Sequence, residues 1–441
     1  MVTLYDEAIA TFEQCLAAVD ASTNPADVQN AKVLLAEAIQ NKCELILKLW
    51  EAEGTSERSM ESLYDPIVCL LGEYTAEHEA AVFREACELL RAAAFHYKTS
   101  NGGSTCTNAP TCASLSPYPS PYPSPSQSSS LLATLRVDAL VNLGNTLSLW
   151  ATVAADPVEI DRLYREAMEC YDYALILEDD ATTRNNKGDV LIAYAEFLAA
   201  RCEKGFQGGE AEAVETVEAA LRVYETALMA YDGAVQLSDS QKGDNLPMLL
   251  LDYGAGYLSM AEFCFKTRHE DARALGLLDE AEKRLLLSVS FGRGSVGVHT
   301  ALGEVYLLGG EVRNDVGTLE RAGEAFGAAL RIQRSDVDGL IGAAETAAEM
   351  AKRVGRVEER DQLFRQAGDY YRLAFGSGKF TGKLKEKGEC LYNYACCMSA
   401  TSDGVEEAVR ILTTLRTKGL VTGAEIRADR DFPDHVRSRF E

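Results

Sequence analysis

The sequence predicts an all-α protein, an α-solenoid of antiparallel helix pairs. Apolar residues recur at helical spacing in almost every segment, and no window alternates at period two. Helix formers such as Ala, Leu and Glu dominate. Two stretches 60 residues apart read almost alike: AMECYDYALILED at 167–179 and ALMAYDGAVQLSD at 227–239. Both set Ala, Tyr and Ala at i, i+4 and i+7, one stripe down a helix. The small ends of the stripe let a neighbouring helix approach, and the bulky middle residue fills the gap.

Composition narrows the class. The chain has 441 residues, 47% of them hydrophobic, enough for a continuous core along an elongated array. Its formal net charge is −25 and its pI about 4.7. A nucleic-acid binder needs basic patches that displace counterions, so direct nucleic-acid binding is not expected. The acidity suits a soluble protein or one with a basic partner. The N-terminus, MVTLYDEAIATFEQCL, has acids at Asp6 and Glu7 and no basic region, unlike a signal or transit peptide. No apolar run of about 18 residues would span a membrane. Of the 12 cysteines, Cys15, Cys43, Cys87, Cys170 and Cys264 fall on apolar helical faces as small hydrophobes. The expected compartment is reducing and intracellular, the cytoplasm with the nucleus as the alternative.

In chain order, residues 1–98 read as an N-terminal helical segment, with stripes at Ala8-Phe12-Cys15 and Ala86-Leu90-Ala93. Residues 99–130 carry no charge and six of the 11 prolines. Proline lacks the amide donor, so an extended, disordered linker is expected there. Tyr118 and Tyr122 among those prolines give a weak docking signal for a proline-recognising module. Cys106 and Cys112 have no second ligand pair nearby, so no zinc site is expected.

The array occupies 131–418. The small-bulky-small stripe recurs at Ala281-Leu285-Ser288, Ala322-Phe326-Ala329 and Ala367-Tyr371-Ala374. Upstream of each stripe in the array lies a second pattern. It reads Leu140-x-x-Leu143-Gly144-x-x-Leu147, then Arg184-x-x-Lys187-Gly188-x-x-Leu191 and Leu250-x-x-Tyr253-Gly254-x-x-Tyr257. His299-x-x-Leu302-Gly303-x-x-Tyr306 follows, and Asp338-x-x-Ile341-Gly342-x-x-Glu345 is the weakest. A helical glycine costs about 1 kcal/mol against alanine, so its recurrence predicts a helix contact that a Cβ would block.

These patterns, in this order, resemble the tetratricopeptide repeat, with W-x2-L-G-x2-Y on helix A and A-x3-F-x2-A on helix B. The resemblance covers about six units. The last is degenerate: Leu391-x-x-Tyr394-Ala395-x-x-Met398, then Ala408, Leu412 and Leu415. It implies a right-handed superhelix of helix pairs with a groove lined by helix A. The chain departs from the family in length. From the glycine to the first alanine of helix B the family has about 12 residues, and here the gaps are 23, 39, 27, 19 and 25. Long helices are therefore expected, with the widest gap marking EFLAARCEKGFQGGEAEAVETVE as the most individual stretch. Residues 419–441 are expected to cap the last helix, with Phe432 and Phe440 tucked back and Arg427, Arg430, Arg437 and Arg439 solvated.

No reaction chemistry is evident. The five histidines (His78, His96, His269, His299, His435) show no metal spacing, and phosphate-loop, EF-hand and C-x-x-C motifs are absent. No enzyme, cofactor or metal is expected. Some family members grip a chaperone's terminal carboxylate with Lys, Arg and Asn. Here Asn145 and Asn186 hold two asparagine positions, but Val141, Met248 and Asp252 stand where cations are needed, so that clamp is not expected. The resemblance instead places Val141, Asn145, Asn185, Asp189, Leu251, Ala255, Thr300, Glu304 and Leu307 along the groove. That mixture suits an extended or helical protein segment with apolar anchors and a basic residue. The expected function is a non-enzymatic adaptor or scaffold. The alternatives are a structural subunit of a larger assembly, a rigid spacer, and a regulator similar to the fungal tetratricopeptide-like factors of translation termination and oxygen response.

Overall fold

Short polar residues start several of the helices. Asp156, Ser295 and Asp336 each accept a backbone N–H with the side chain, satisfying a donor that the first turn leaves orphaned. Pro157 and Pro247 stand in first turns, where a missing N–H is harmless. The computed structural model describes residues 84, 87, 88, 91, 130–203, 210–241, 245–291, 294–377, 384–401 and 403–440. Among the described residues every regular element is helical. The helices are α1 (Ser130–Val153), α2 (Pro157–Leu177), α3 (Ala181–Glu203), α4 (Glu210–Gln241) and α5 (Leu246–Lys266). They continue with α6 (Asp271–Ser290), α7 (Val296–Arg313), α8 (Val316–Ile332), α9 (Val337–Arg353) and α10 (Val357–Gly376). The chain closes with α11 (Leu384–Ser399), α12 (Val405–Thr417), α13 (Gly423–Ala428), α14 (Asp434–Arg437) and a 3-10 turn, Ser438–Phe440. The expected helical segment 1–98, apart from four helical residues, and the expected linker up to residue 129 lie outside the described residues.

The chain divides into two compact units at Tyr194–Ala195, inside α3. In the first, α1 and α2 pack as a pair across a short connection, which makes them antiparallel. Tyr171 fills the stripe of α2, fully buried, with its ring on Gly144 of α1. Tyr194 donates a hydrogen bond to Asp161 at 2.5 Å.

The second unit pairs α5 with α6, α7 with α8, α9 with α10 and α11 with α12. Helices α5, α7, α9 and α11 also touch one another in succession, so they form one layer of a stacked helix-pair array. The glycine patterns fall on the odd-numbered helices α1 to α9 and the stripes on the even-numbered α2 to α10, the register expected from sequence. The glycines do what their recurrence implies. A Cβ on Gly254 would lie 2.7 Å from Leu285, and one on Gly303 would lie 2.6 Å from Phe326. From the following pair, a Cβ on Gly342 would meet the same Phe326 ring at 2.2 Å.

Helix length absorbs the unequal gaps. Helix α4 begins 17 residues before Ala227, whereas α2, α6 and α10 begin 10 residues before Ala167, Ala281 and Ala367. Two extra turns of α4 thus account for much of the widest gap. Arg268 and Arg273, at the turn into α6, pair with Glu218 and Glu225 of α4 at 2.7 and 3.0 Å. At the chain's end Phe432 and Phe440 are buried against Ile411, Leu412 and Leu415. Arg439 pairs with Glu406 at 2.7 Å.

Asp336 caps α9 through Gly339 N–H at 2.9 Å and accepts a bond from Thr300 at 3.3 Å. Asp336→Ala is expected to cost about 1 kcal/mol and to lower the thermal midpoint by about 2–4 °C in calorimetry.

Candidate functional site

Residues spaced i, i+4 and i+7 share one face of a helix. On α9 those positions are Glu345, Glu349 and Lys352, on α7 Glu304 and Glu311, and on α5 Glu262 and Lys266. Since α5, α7 and α9 are consecutive neighbours, these faces form one strip of carboxylates that turns basic in the last turns of α5 and α9. Lysines there suit the negative end of the helix dipole. Lys266 pairs with Glu262 at 2.5 Å and Lys352 with Glu349 at 2.8 Å.

Two carboxylates on the strip are held far above the usual range. Burial pushes Glu345 up to about 7, reinforced by the charge of Glu311 and opposed by a long hydrogen bond from Asn393 at 3.5 Å and by Lys266. Glu304 also rises to about 7, through desolvation and then the charges of Asp338 and Glu345. The Glu304 side chain keeps access to water at the surface of the strip. Glu311 is raised by burial and by the charge of Glu349. Carboxylates crowded this way attract a cation that takes over the charge their neighbours leave unbalanced.

The C-terminal edge of the strip opens into a cavity of 680 Å³. Its wall includes Glu311, Glu345 and Asn393, and also Arg360 of α10 and Arg430 of the α13–α14 turn. Lys352 and Asp431, both on its wall, pair at 3.2 Å. Cys396 and Cys397 also line it, and burial raises both thiols, which makes them poor nucleophiles. Among the described residues no group of His, Cys, Asp or Glu has metal-site geometry, and no helix is long and apolar enough to cross a membrane.

The nine residues expected along the groove fall in both units. In the first, Val141 packs against the core beside Ala174, and Asn145 accepts a hydrogen bond from Tyr171. Asn185 is buried, and Asp189 is exposed, close enough to help burial raise the Tyr171 hydroxyl. In the second, Leu251 packs against the core and Ala255 is half-buried. Thr300 is buried against Asp336, and Leu307 is buried with Phe326, so both face the core instead of solvent. Glu304 alone of the nine belongs to the carboxylate strip.

Sequence reasoning missed Glu345, and its signal was visible. The last position of the glycine pattern is Leu147, Leu191, Tyr257 and Tyr306 in the other units, and Glu only in the fifth. That misfit is a carboxylate at a site built for an apolar side chain. Glu311, one i+7 step from Glu304, was legible in the same way.

No family model matches the chain, and no curated protein matches its sequence. Solved structures of helical-repeat proteins do. The S. pombe nuclear import adaptor Nro1 is 12% identical, with a TM-score of 0.38 over 75% of this chain and 98% of that one. A signal-transduction ATPase with a tetratricopeptide repeat sensor from Pyrococcus horikoshii is 11% identical, with a TM-score of 0.33 over 99% of this chain and 67% of that one. A monomeric mutant of IFIT1 with Gppp-AAAA is 11% identical, with a TM-score of 0.29 over 99% of this chain and 93% of that one.

Proposed function

We propose that the protein is a non-enzymatic interaction scaffold whose odd-helix face receives a basic segment of a partner protein. The observation that carries this reading is the carboxylate strip Glu262, Glu304, Glu311 and Glu345. Three adjacent helices contribute to it, and its two most perturbed members, Glu304 and Glu345, lie on neighbouring helices. A basic side chain laid there would relieve the mutual repulsion.

The test is affinity purification with mass spectrometry on the wild type and on Glu262→Lys/Glu304→Lys, two exposed positions whose reversal leaves the core untouched. Partners bearing a Lys- or Arg-rich segment should be lost from the variant. Equal recovery of the same partners would end the proposal.

A subunit of a larger assembly is the second reading. Met248 at the start of α5 and Leu286, Leu287 and Phe291 at the end of α6 are each about half exposed. Ser288 donates to the Pro247 carbonyl at 2.6 Å, so these residues are neighbours. Concentration-dependent sedimentation abolished by Leu287→Glu would favour this reading over the first.

A further inference from the structure

In the 680 Å³ cavity Lys352 meets Glu349 and Asp431, but other opposite charges on the wall do not meet. Among the described residues the side chains of Glu311, Arg360 and Arg430 make no ion pair or hydrogen bond, and Glu345 has only the 3.5 Å contact from Asn393. Local helix electrostatics do not account for Arg360. It is the fourth residue of α10, at the helix end whose dipole favours anions. Arg430 belongs to the turn that Asp431 ties to Lys352 at 3.2 Å, so it sits by the last turn of α9. Glu345 stands seven residues before Lys352 on that helix, about 10 Å along its axis. The carboxylates and the guanidiniums therefore occupy different ends of one space, with the amide of Asn393 and Lys266, itself paired with Glu262, beside the acidic end.

A ligand charged at one end only would leave the other end unmatched. From this juxtaposition we infer that the cavity binds an extended peptide segment of the partner carrying both a basic side chain and a carboxylate. The Lys or Arg sits against Glu345 and Glu311, and an Asp, Glu or terminal carboxylate about three residues away sits against Arg360 and Arg430. The spacing follows from the rise of an extended chain, about 3.3 Å per residue, against the 10 Å between the charged ends. Planar guanidiniums suit a carboxylate better than ammonium groups would, because they offer it two parallel donors. The inference rests on the basic-segment reading above and extends it, since a strip of carboxylates alone has no use for the second charge.

The experiment uses the full chain and fluorescein-labelled octapeptides with one Lys and one Glu three residues apart, in both orders, on a Gly/Ser background. Control peptides replace the Glu or the Lys with Gln. Fluorescence anisotropy is read on the wild type, Arg360→Gln/Arg430→Gln and Glu345→Gln, with circular dichroism confirming the fold. In the wild type, one of the two-charge peptides should bind about tenfold more tightly than either control, the scale of a hydrogen bond to a charged group. The double arginine variant should erase the advantage over the Lys-only peptide. Glu345→Gln should erase the advantage over the Glu-only peptide. If the Lys-only peptide binds as well as the two-charge peptide and the arginine variant changes nothing, the inference is overturned while the basic-segment reading stands. If no peptide binds up to about 1 mM, a free energy near 4 kcal/mol, the inference also falls.

Discussion

Phe326→Ala should lower stability by about 3–5 kcal/mol and the thermal midpoint by about 6–20 °C. The ring is fully buried and packs with Leu307, Leu319, Ala322 and Ala343. It also lies against two glycines, Gly303 of its own pair and Gly342 of the next. One side chain thus couples two helix pairs, and its loss opens a void that both must collapse to fill. The reciprocal change makes the point from the other side. Gly342→Ala gains about 1 kcal/mol of helix propensity, but it sets a Cβ 2.2 Å from the ring. Overpacking of that kind costs about 1–3 kcal/mol. The pair Gly342→Ala/Phe326→Leu should be more stable than the sum of the single changes implies. Gly276 of α6 has nothing within 4 Å of its Cβ position. Gly276→Ala should therefore stabilise, by about 0.5–1 kcal/mol.

Glu345→Gln should stabilise the protein at pH 8 by an amount on the order of 1–2 kcal/mol, after allowance for partial exposure, and should do little at pH 5. The sign follows from proton binding. The folded state holds the Glu345 proton up to about pH 7, whereas an unfolded chain releases it near the ordinary glutamate value, about 4.3. Between those values the folded state binds more protons, so stability falls as pH rises and stays reduced above the window. The groups facing Glu345 set this. Glu304 and Glu311 approach from α7, Glu262 and Lys266 from α5, Tyr371 from α10 and Asn393 from α11, with Glu349 and Lys352 on its own helix. Thermal melts of both proteins from pH 5 to 8 would measure it. Parallel pH profiles would show that Glu345 titrates normally.

Much of the fold was legible because the repeat obeys packing rules that act on residue size. A stripe such as Ala322-Phe326-Ala329 opposite Gly303 declares its neighbour, whatever the length of the turns between. The wide second gap was legible as extended helix, but the start of α4 was not, because EAEAVETVEAAL suits a long helix and a helix after a loop equally well. The site was only partly legible. Groove positions carried over from the repeat pattern mark helix faces, yet Thr300 and Leu307 turn into the core because these long helices pack closely along their length. The cavity joins residues from Lys266 to Pro433, and no local spacing brings those together.

Site-specific photocrosslinking tests the scaffold reading most directly. A benzophenone side chain placed at Glu304, on the carboxylate strip, is compared with one at Leu287, on the exposed apolar edge of α6, in the full-length protein exposed to its cellular partners. The account predicts that the residue at 304 captures a Lys- or Arg-bearing segment, that added salt weakens this capture, and that 287 captures little. Capture from 287 alone, or salt-independent capture of an apolar segment at 304, would contradict it.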